Sequence, residues 1–124
     1  VTAIELAFTT PRAHEAIREL AKKYADNPDV VIGAGTVLDA VTARIAILEG
    51  AQFVVSPALD VETIKLCNRY RVAVMPGTTT LKDVVTALEC GADVVKIFPG
   101  EVVGMKAIKA IPPCRRPLSC LRAV

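Results

Sequence analysis

The sequence lacks several features that would assign a function class at once. Its 124 residues contain no tryptophan and one histidine, and aromatic residues make up 4% of the chain. No apolar run approaches the roughly 20 residues of a membrane-spanning helix, and no basic segment followed by an apolar stretch opens the chain. The net charge of +2 is too small to indicate nucleic acid or a membrane as partner. We therefore expect a soluble, cytoplasmic protein.

The cysteines are few and lack the spacing of a metal site. Cys67 and Cys90 fall on apolar faces of predicted helices, and none of the four cysteines forms a CxxC pair. This pattern favours reduced thiols in a cytosolic protein over a disulfide framework or a zinc site, so no metal is predicted. Hydrophobic residues make up 52% of the chain, which is enough to build the core of one domain.

Short runs rich in Val, Ile and Ala predict five strands, at residues 3–8, 30–33, 52–55, 72–75 and 93–98. The amphipathic stretches between them predict helices. Start signals and terminal glycines indicate the helix boundaries, with Thr10 before Pro11, Asp39, Asp60 and Thr80 as starts and Gly50 and Gly91 as ends. Strict alternation predicts an α/β fold with parallel strands, without deciding between an open sheet and a barrel.

Two of the predicted strands carry a charged residue on a sheet face. Glu5 alternates in phase with Ala3 and Ala7, and Lys96 alternates in phase with Phe98. Buried charges are costly unless they are paired or neutralised, so both residues need an explanation. One explanation is a structural ion pair, or strand-end residues whose charged ends reach water. The other is catalysis, in which a desolvated Lys96 amine attacks a carbonyl and Glu5 moves protons.

The segments that follow the strands are rich in hydroxyl residues, glycine and proline. In parallel α/β folds such segments gather at the carboxyl edge of the sheet, where binding sites form. Their hydroxyls and backbone N–H groups suit a small oxyanion such as a carboxylate or phosphate, although each residue alone is also an ordinary turn residue. The segments are Thr9-Thr10-Pro11, Gly33-Ala34-Gly35-Thr36, Ser56-Pro57, Pro76-Gly77-Thr78 and Phe98-Pro99-Gly100.

Five motifs, in this order, resemble the 2-keto-3-deoxy-6-phosphogluconate (KDPG) / 4-hydroxy-2-oxoglutarate (KHG) aldolase family. They are Ile4-Glu5-Leu6, Gly33-Ala34-Gly35-Thr36-Val37-Leu38, Gly50-Ala51-Gln52-Phe53-Val54-Val55-Ser56-Pro57, Pro76-Gly77 and Val95-Lys96-Ile97-Phe98-Pro99-Gly100-Glu101. The resemblance implies a class I aldolase on a TIM barrel, usually a homotrimer, that needs no metal or other cofactor. Its small-molecule substrate would be a keto-acid phosphate, cleaved to pyruvate and glyceraldehyde 3-phosphate. Cleavage of 4-hydroxy-2-oxoglutarate to pyruvate and glyoxylate is implied as a second activity.

The resemblance also implies two catalytic residues. Lys96 matches the lysine that forms a Schiff base with the substrate ketone. Glu5 matches the acid/base residue that handles protons during carbinolamine dehydration and takes the proton of the C4 hydroxyl.

Substrate-binding roles follow from the same resemblance. Thr36 matches a threonine that helps to bind the pyruvyl carboxylate, and Pro57 and Phe98 match positions in the pocket wall. Thr9 stands where some members carry an arginine that grips this carboxylate. We expect the hydroxyl and N–H groups of Thr9 or Thr10 to contribute in its place.

The chain departs from the family pattern in its length and its last residues. Five predicted strands are fewer than the eight that close a TIM barrel. Residues 1–111 are therefore predicted to form a partial barrel, and residues 112–124 a tail unlike the family, without its Pro-Thr-Gly-Gly phosphate turn. Two alternatives stay open: a catalytically impaired fragment that acts as an oligomerising scaffold, and an isomerase or epimerase on a similar barrel that does not need Lys96.

Overall fold

The computed structural model describes residues 2–110 and 122–123. Strands and helices alternate along these residues, and every paired strand is parallel to its neighbour. The predicted α/β class is confirmed. The elements are β1 (Ala3–Ala7), α1 (Ala13–Lys23), β2 (Val31–Gly35), α2 (Ala40–Leu48), β3 (Phe53–Val55), α3 (Val61–Tyr70), β4 (Ala73–Met75), β5 (Gly77–Thr78), α4 (Leu81–Glu89), β6 (Lys96–Ile97), α5 (Gly100–Ala110) and β7 (Arg122–Ala123).

The strands pair in chain order, as β1-β2-β3-β4 and β5-β6-β7. β4 coincides with the predicted strand at 72–75. β5 follows it beyond Pro76, which has no N–H to donate to a ladder, in a segment that was predicted to follow the strand as a turn. The Asp93 N–H donates to the Val74 carbonyl at 3.2 Å and the Lys96 N–H to the Pro76 carbonyl at 3.0 Å, so the chain leading into β6 runs beside both β4 and β5. Among the described residues the pairing runs from β1 to β7 without returning to β1, which makes an incomplete barrel wall. Each of the five predicted strands is confirmed, the last of them shortened to Lys96–Ile97, whereas β5 and β7 were not predicted.

The two faces of this wall differ in packing. In β2, β3 and β4 alternate side chains point outward against the helices and are 0–1% exposed, namely Ile32, Ala34, Val54 and Val74. Ile17 of α1 and Ile64 of α3, both 0% exposed, lie in the same core cluster. The core of the chain is therefore the layer between the sheet and its helices, and the opposite face is concave.

Most predicted helix boundaries are confirmed. Asp39 and Asp60 cap α2 and α3 by accepting from the backbone N–H groups of Thr42 and Thr63. Thr80 and Asp83 form a reciprocal capping box at the start of α4. The chain leaves α2 and α4 through two glycines with positive φ, Gly50 (+104°) and Gly91 (+90°), a conformation that glycine adopts without a steric penalty.

The predicted start of α1 at Thr10 is wrong. The helix begins at Ala13, and Arg12 before it adopts a left-handed conformation without a side-chain cap. Thr10 instead belongs to a turn, because its N–H donates to the Ala7 carbonyl at 2.9 Å. Over the described part of the chain, no helix has the length and apolar character needed to cross a bilayer.

Candidate active site

Glu5 and Lys96 are the only charged residues in strands β1 to β6, and both lie on the concave face. Glu5 pairs with Gly33 of β2, and Lys96 pairs with Gly77 of β5. Four strand-to-strand steps separate them, so their side chains lie on facing parts of the curved wall. The predicted placement of both residues on a sheet face is therefore confirmed.

The register places these two residues at a similar height in the barrel wall. The ladder partner of Glu5 across β2, β3 and β4 is Ala73, and Lys96 pairs with the residue four positions later, Gly77. Four residues correspond to about 13 Å along the strands, and four strand spacings correspond to about 19 Å across them. The line that joins Glu5 to Lys96 is therefore inclined by about 35° to the direction perpendicular to the strands. Strands of a (β/α)₈ barrel tilt by about 36°, so the offset cancels the tilt.

The Glu5 side chain is exposed, so its charged end reaches water. It opens onto a cleft of about 510 Å³. Within residues 2–110 and 122–123, none of the ion pairs joins Glu5 to Lys96, so the carboxylate is hydrated rather than paired with the amine. Apart from Glu5 and Gln52, the cleft lining is apolar, formed by Ala3, Val31, Phe53, Val55, Ala73 and Met75.

Lys96 is half-buried beside Phe98, with Nζ 4.6 Å from the centroid of the ring. Two threonine hydroxyls hold this part of the backbone: Thr78 donates to the Lys96 carbonyl at 3.1 Å, and Thr79 donates to the Phe98 carbonyl at 2.9 Å. Within the described residues, Nζ takes part in no hydrogen bond or ion pair. The backbone is thus fixed while the amine stays available to a ligand.

Pro57 approaches the lysine strand through its neighbour Gly77. A Cβ placed on Gly77 would overlap the Pro57 carbonyl oxygen and lie 2.8 Å from the Ala58 nitrogen. The Pro57 loop therefore packs directly on the residue that pairs with Lys96. Phe98 thus lies beside the Lys96 amine, and Pro57 lies beside Gly77, the ladder partner of Lys96.

Thr9 and Thr36 line one small pocket of about 210 Å³ where β1 and β2 end. Thr36 has a φ of +54°, which is costly for a β-branched residue, by about 1–3 kcal/mol. Such strain persists where the surrounding structure enforces it, and it is frequent at ligand sites. The other lining residues are Phe8, Leu38, Asp39 and Thr42.

Asp39 gives this hydroxyl pocket one negative charge. The backbone N–H of Thr42 donates to its carboxylate at 2.7 Å and holds the pKa of that carboxyl below its ordinary value. The Thr42 hydroxyl donates to the second carboxylate oxygen at 3.1 Å. Because the carboxylate also lies at the positive end of the α2 dipole, the helix stabilises its charge.

Thr10 is exposed in the turn after β1, and the pocket of Thr9 and Thr36 does not include it. Gly35 makes room for the Glu5 carboxylate, because a Cβ at position 35 would overlap it. This role of Gly35 was not predicted from the sequence. The Gly-x-Gly spacing in β2 was the available signal, since it removes two side chains from one face of a strand. The hydroxyl contacts of Thr78 and Thr79 depend on register, which no local sequence pattern specifies.

Fold and site together define a (β/α)-barrel type of chain with a lysine and a glutamate on the concave face. The family model of the KDPG and KHG aldolases matches residues 1–118. The 2-dehydro-3-deoxy-phosphogluconate aldolase of Treponema pallidum is 37% identical over 124 residues, which are 100% of this chain and 57% of the relative. That of Haemophilus influenzae is 41% identical over 108 residues, 86% of this chain and 50% of the relative. The chain belongs to the KDPG/KHG aldolase family.

A solved structure agrees with this assignment. The KDPG aldolase of Legionella pneumophila, with pyruvate captured as a covalent carbinolamine, superposes with a TM-score of 0.84 at 26% identity. The match covers 98% of this chain and 58% of that one. The chain thus spans about half the length of the relatives it matches. The match to the family model extends beyond residue 111, to residue 118. Most of the predicted tail, residues 112–124, lies outside the described residues, so its boundary stays a prediction.

Proposed function

We propose that this chain carries the Schiff-base half-site of a class I aldolase that cleaves 2-dehydro-3-deoxy-6-phosphogluconate to pyruvate and glyceraldehyde 3-phosphate. One observation carries the proposal: the two charged residues of β1 to β6 lie at a similar height on facing parts of one concave wall. A nucleophilic amine and a carboxylate on one concave face are the groups required for imine chemistry.

Lys96 Nζ attacks the C2 ketone to form a carbinolamine, and loss of water gives an iminium. Glu5 supplies and removes protons in these steps and takes the C4 hydroxyl proton through a water molecule. The electron pair of the C3–C4 bond then moves toward the iminium nitrogen, which releases the aldehyde and leaves an enamine. Protonation of the enamine at C3 and hydrolysis release pyruvate and free Lys96.

The flanking residues orient the reacting groups. Phe98 packs against the amine, and Pro57 packs on Gly77 beside it, so these residues form the wall behind the ketone. Thr36 and Thr9 present hydroxyls for the substrate carboxylate, and Thr10 adds its exposed hydroxyl from the same turn. The Thr10 N–H is already bonded to the Ala7 carbonyl, so the expected contribution of that N–H is dropped. The Asp39 carboxylate is already held by the N–H and hydroxyl of Thr42 at the positive end of α2.

We further propose a homo-oligomer, as a trimer, in the cytoplasm. The exposed face of α2 supports association, because Val41, Ile45 and Leu48 recur on it at helical spacing and are 72%, 42% and 66% exposed. Cys67 and Cys90 are free thiols, which fits a reducing compartment. A light-scattering mass of a single chain at micromolar concentration would contradict the oligomer.

The substrate proposal is tested by pyruvate release. The chain is mixed with 2-dehydro-3-deoxy-6-phosphogluconate or 4-hydroxy-2-oxoglutarate, and pyruvate is measured with lactate dehydrogenase and NADH. We expect release by the wild-type chain and by Lys82→Ala, an exposed lysine of α4, and none by Lys96→Ala. A folded chain that releases nothing would favour the scaffold alternative. Turnover that survives Lys96→Ala would favour chemistry that does not use the imine.

A further inference from the structure

Two glycines of β2 leave recesses on the concave face, and each is filled by a different side chain. A Cβ on Gly33 would overlap the ring of Phe53. A Cβ on Gly35 would overlap Glu5 Oε1 and would lie 2.7 Å from Cδ and 2.9 Å from Cγ of the same residue. The Glu5 carboxylate therefore occupies the space in which a side chain at position 35 would stand.

The position of this recess sets the direction of the glutamate. Glu5 pairs with Gly33, yet its carboxylate lies over Gly35, two residues further along β2. Two residues correspond to about 6–7 Å of strand. The side chain thus leans toward the carboxyl edge of the sheet, where Thr36 follows Gly35 directly.

We propose that Gly35 is a positioning residue for Glu5, which holds the carboxylate toward the carboxyl edge where the substrate would bind. This inference rests on the proposed aldolase function. Gly35 touches no reacting atom, and it acts by leaving a slot beside the carboxylate. Any larger residue at position 35 removes the slot and turns Glu5 away.

Alanine at position 35 should change the free energy of unfolding little but should slow the reaction. Gly35 lies within a strand and has no positive φ, so alanine can adopt its backbone conformation. The group that must yield is the end of a flexible, exposed side chain. At Gly33, by contrast, the half-buried ring of Phe53 must move, so Gly33→Ala is a matched substitution on the same face that costs packing instead.

The test measures exchange of the pyruvate methyl protons in D₂O by NMR, which requires an imine at Lys96 and a base. We expect Gly35→Ala to slow this exchange by about tenfold or more at saturating pyruvate, since a displaced acid/base group loses most of its effect. A brief borohydride pulse given after equilibration with pyruvate should trap an amount of Lys96 adduct within about twofold of the wild type, because Glu5 changes the rates of imine formation and not its equilibrium. Exchange at the wild-type rate in folded Gly35→Ala would overturn the proposal.

A shortened carboxylate supplies the rescue test. Aspartate at position 5 is one methylene shorter and withdraws from the slot, so Gly35→Ala should slow exchange by less than about twofold in a Glu5→Asp background. An equal loss in both backgrounds would show a merely structural effect and would contradict the positioning role. Gly33→Ala should change the exchange rate by the same factor in both backgrounds, because its Cβ meets Phe53 and not residue 5.

A separate readout covers failure of the aldolase proposal itself. If the wild-type chain gives neither adduct nor exchange, the proposed function fails, and the slot is still tested by the carboxyl ¹³C resonance of Glu5, assigned with Glu5→Gln. We expect Gly35→Ala to shift this resonance. An unchanged resonance would overturn the contact between Gly35 and Glu5.

Discussion

The outer and concave faces of the sheet come from the same short strands, yet they are built differently. Outward residues such as Ile32 and Val54 are 0–1% exposed beneath the helices. The concave face carries Glu5, Lys96 and the glycines of β2, and it opens on a cleft of about 510 Å³. Because strand side chains alternate, one residue step separates a position that stabilises the fold from one that faces the cleft.

This difference shows that the concave face can carry groups that are poorly packed. Aliphatic burial on the outer face provides most of the stability, so the concave face can keep an exposed carboxylate, an uncommitted amine and a strained Thr36. Substitutions on the two faces should therefore separate into losses of stability and losses of chemistry.

The outer face should give the greatest loss of stability. Ile32→Ala removes a side chain that is 1% exposed, and we expect a decrease of about 2–5 kcal/mol in the free energy of unfolding. Val31→Ala, one residue away on the concave face and half-buried, should lose less than half as much. Urea unfolding followed by circular dichroism measures both. Equal losses would break the distinction between the faces.

The helix caps of the outer layer should give an intermediate effect that depends on pH. Asp39→Ala should cost about 1 kcal/mol at pH 7 through loss of the N-cap. The folded-state pKa of Asp39 is lowered, chiefly by the Thr42 N–H, so this contribution is present above the unfolded value of about 3.9 and is lost as the pH falls through the folded value. The wild-type and variant unfolding curves should converge in acid. A constant difference between pH 7 and pH 2 would contradict this cause.

The smallest change in stability should come from the concave carboxylate. Glu5→Gln alters an exposed, unpaired side chain, and we expect the free energy of unfolding to change by no more than about 0.5 kcal/mol. Exchange of pyruvate methyl protons should nevertheless fall by about 10²-fold or more. Glu19→Gln, on the exposed surface of α1, should change neither quantity. Exchange of pyruvate methyl protons by Glu5→Gln at the wild-type rate would show that the carboxylate takes no part in the mechanism.

The sequence predicted those features that local patterns determine. Strand alternation placed Glu5 and Lys96 on sheet faces, and the caps at Asp39, Asp60 and Thr80 followed from residue type and position. The start of α1 was missed because Arg12, rather than a capping hydroxyl, precedes it.

Other features depend on contacts between distant residues. The exposure of Glu5 depends on what packs across the concave face, and the slot at Gly35 depends on the register between β1 and β2. β7 pairs with Lys96 from a segment that has no strand pattern. No local periodicity specifies these contacts, so they are known only from the folded structure. Membership of the family, in contrast, was predictable because its motifs fall at successive strand ends.

Covalent trapping at Lys96 decides whether the concave face forms an imine. The chain is incubated with pyruvate and sodium borohydride, and the modified peptide is located by mass spectrometry, with Lys96→Ala and Lys82→Ala as controls. We predict a reduced pyruvyl adduct confined to Lys96, kept in Lys82→Ala and lost in Lys96→Ala. A folded chain with no adduct, or with adducts spread over surface lysines that persist in Lys96→Ala, would contradict the assignment of Lys96 as the Schiff-base residue.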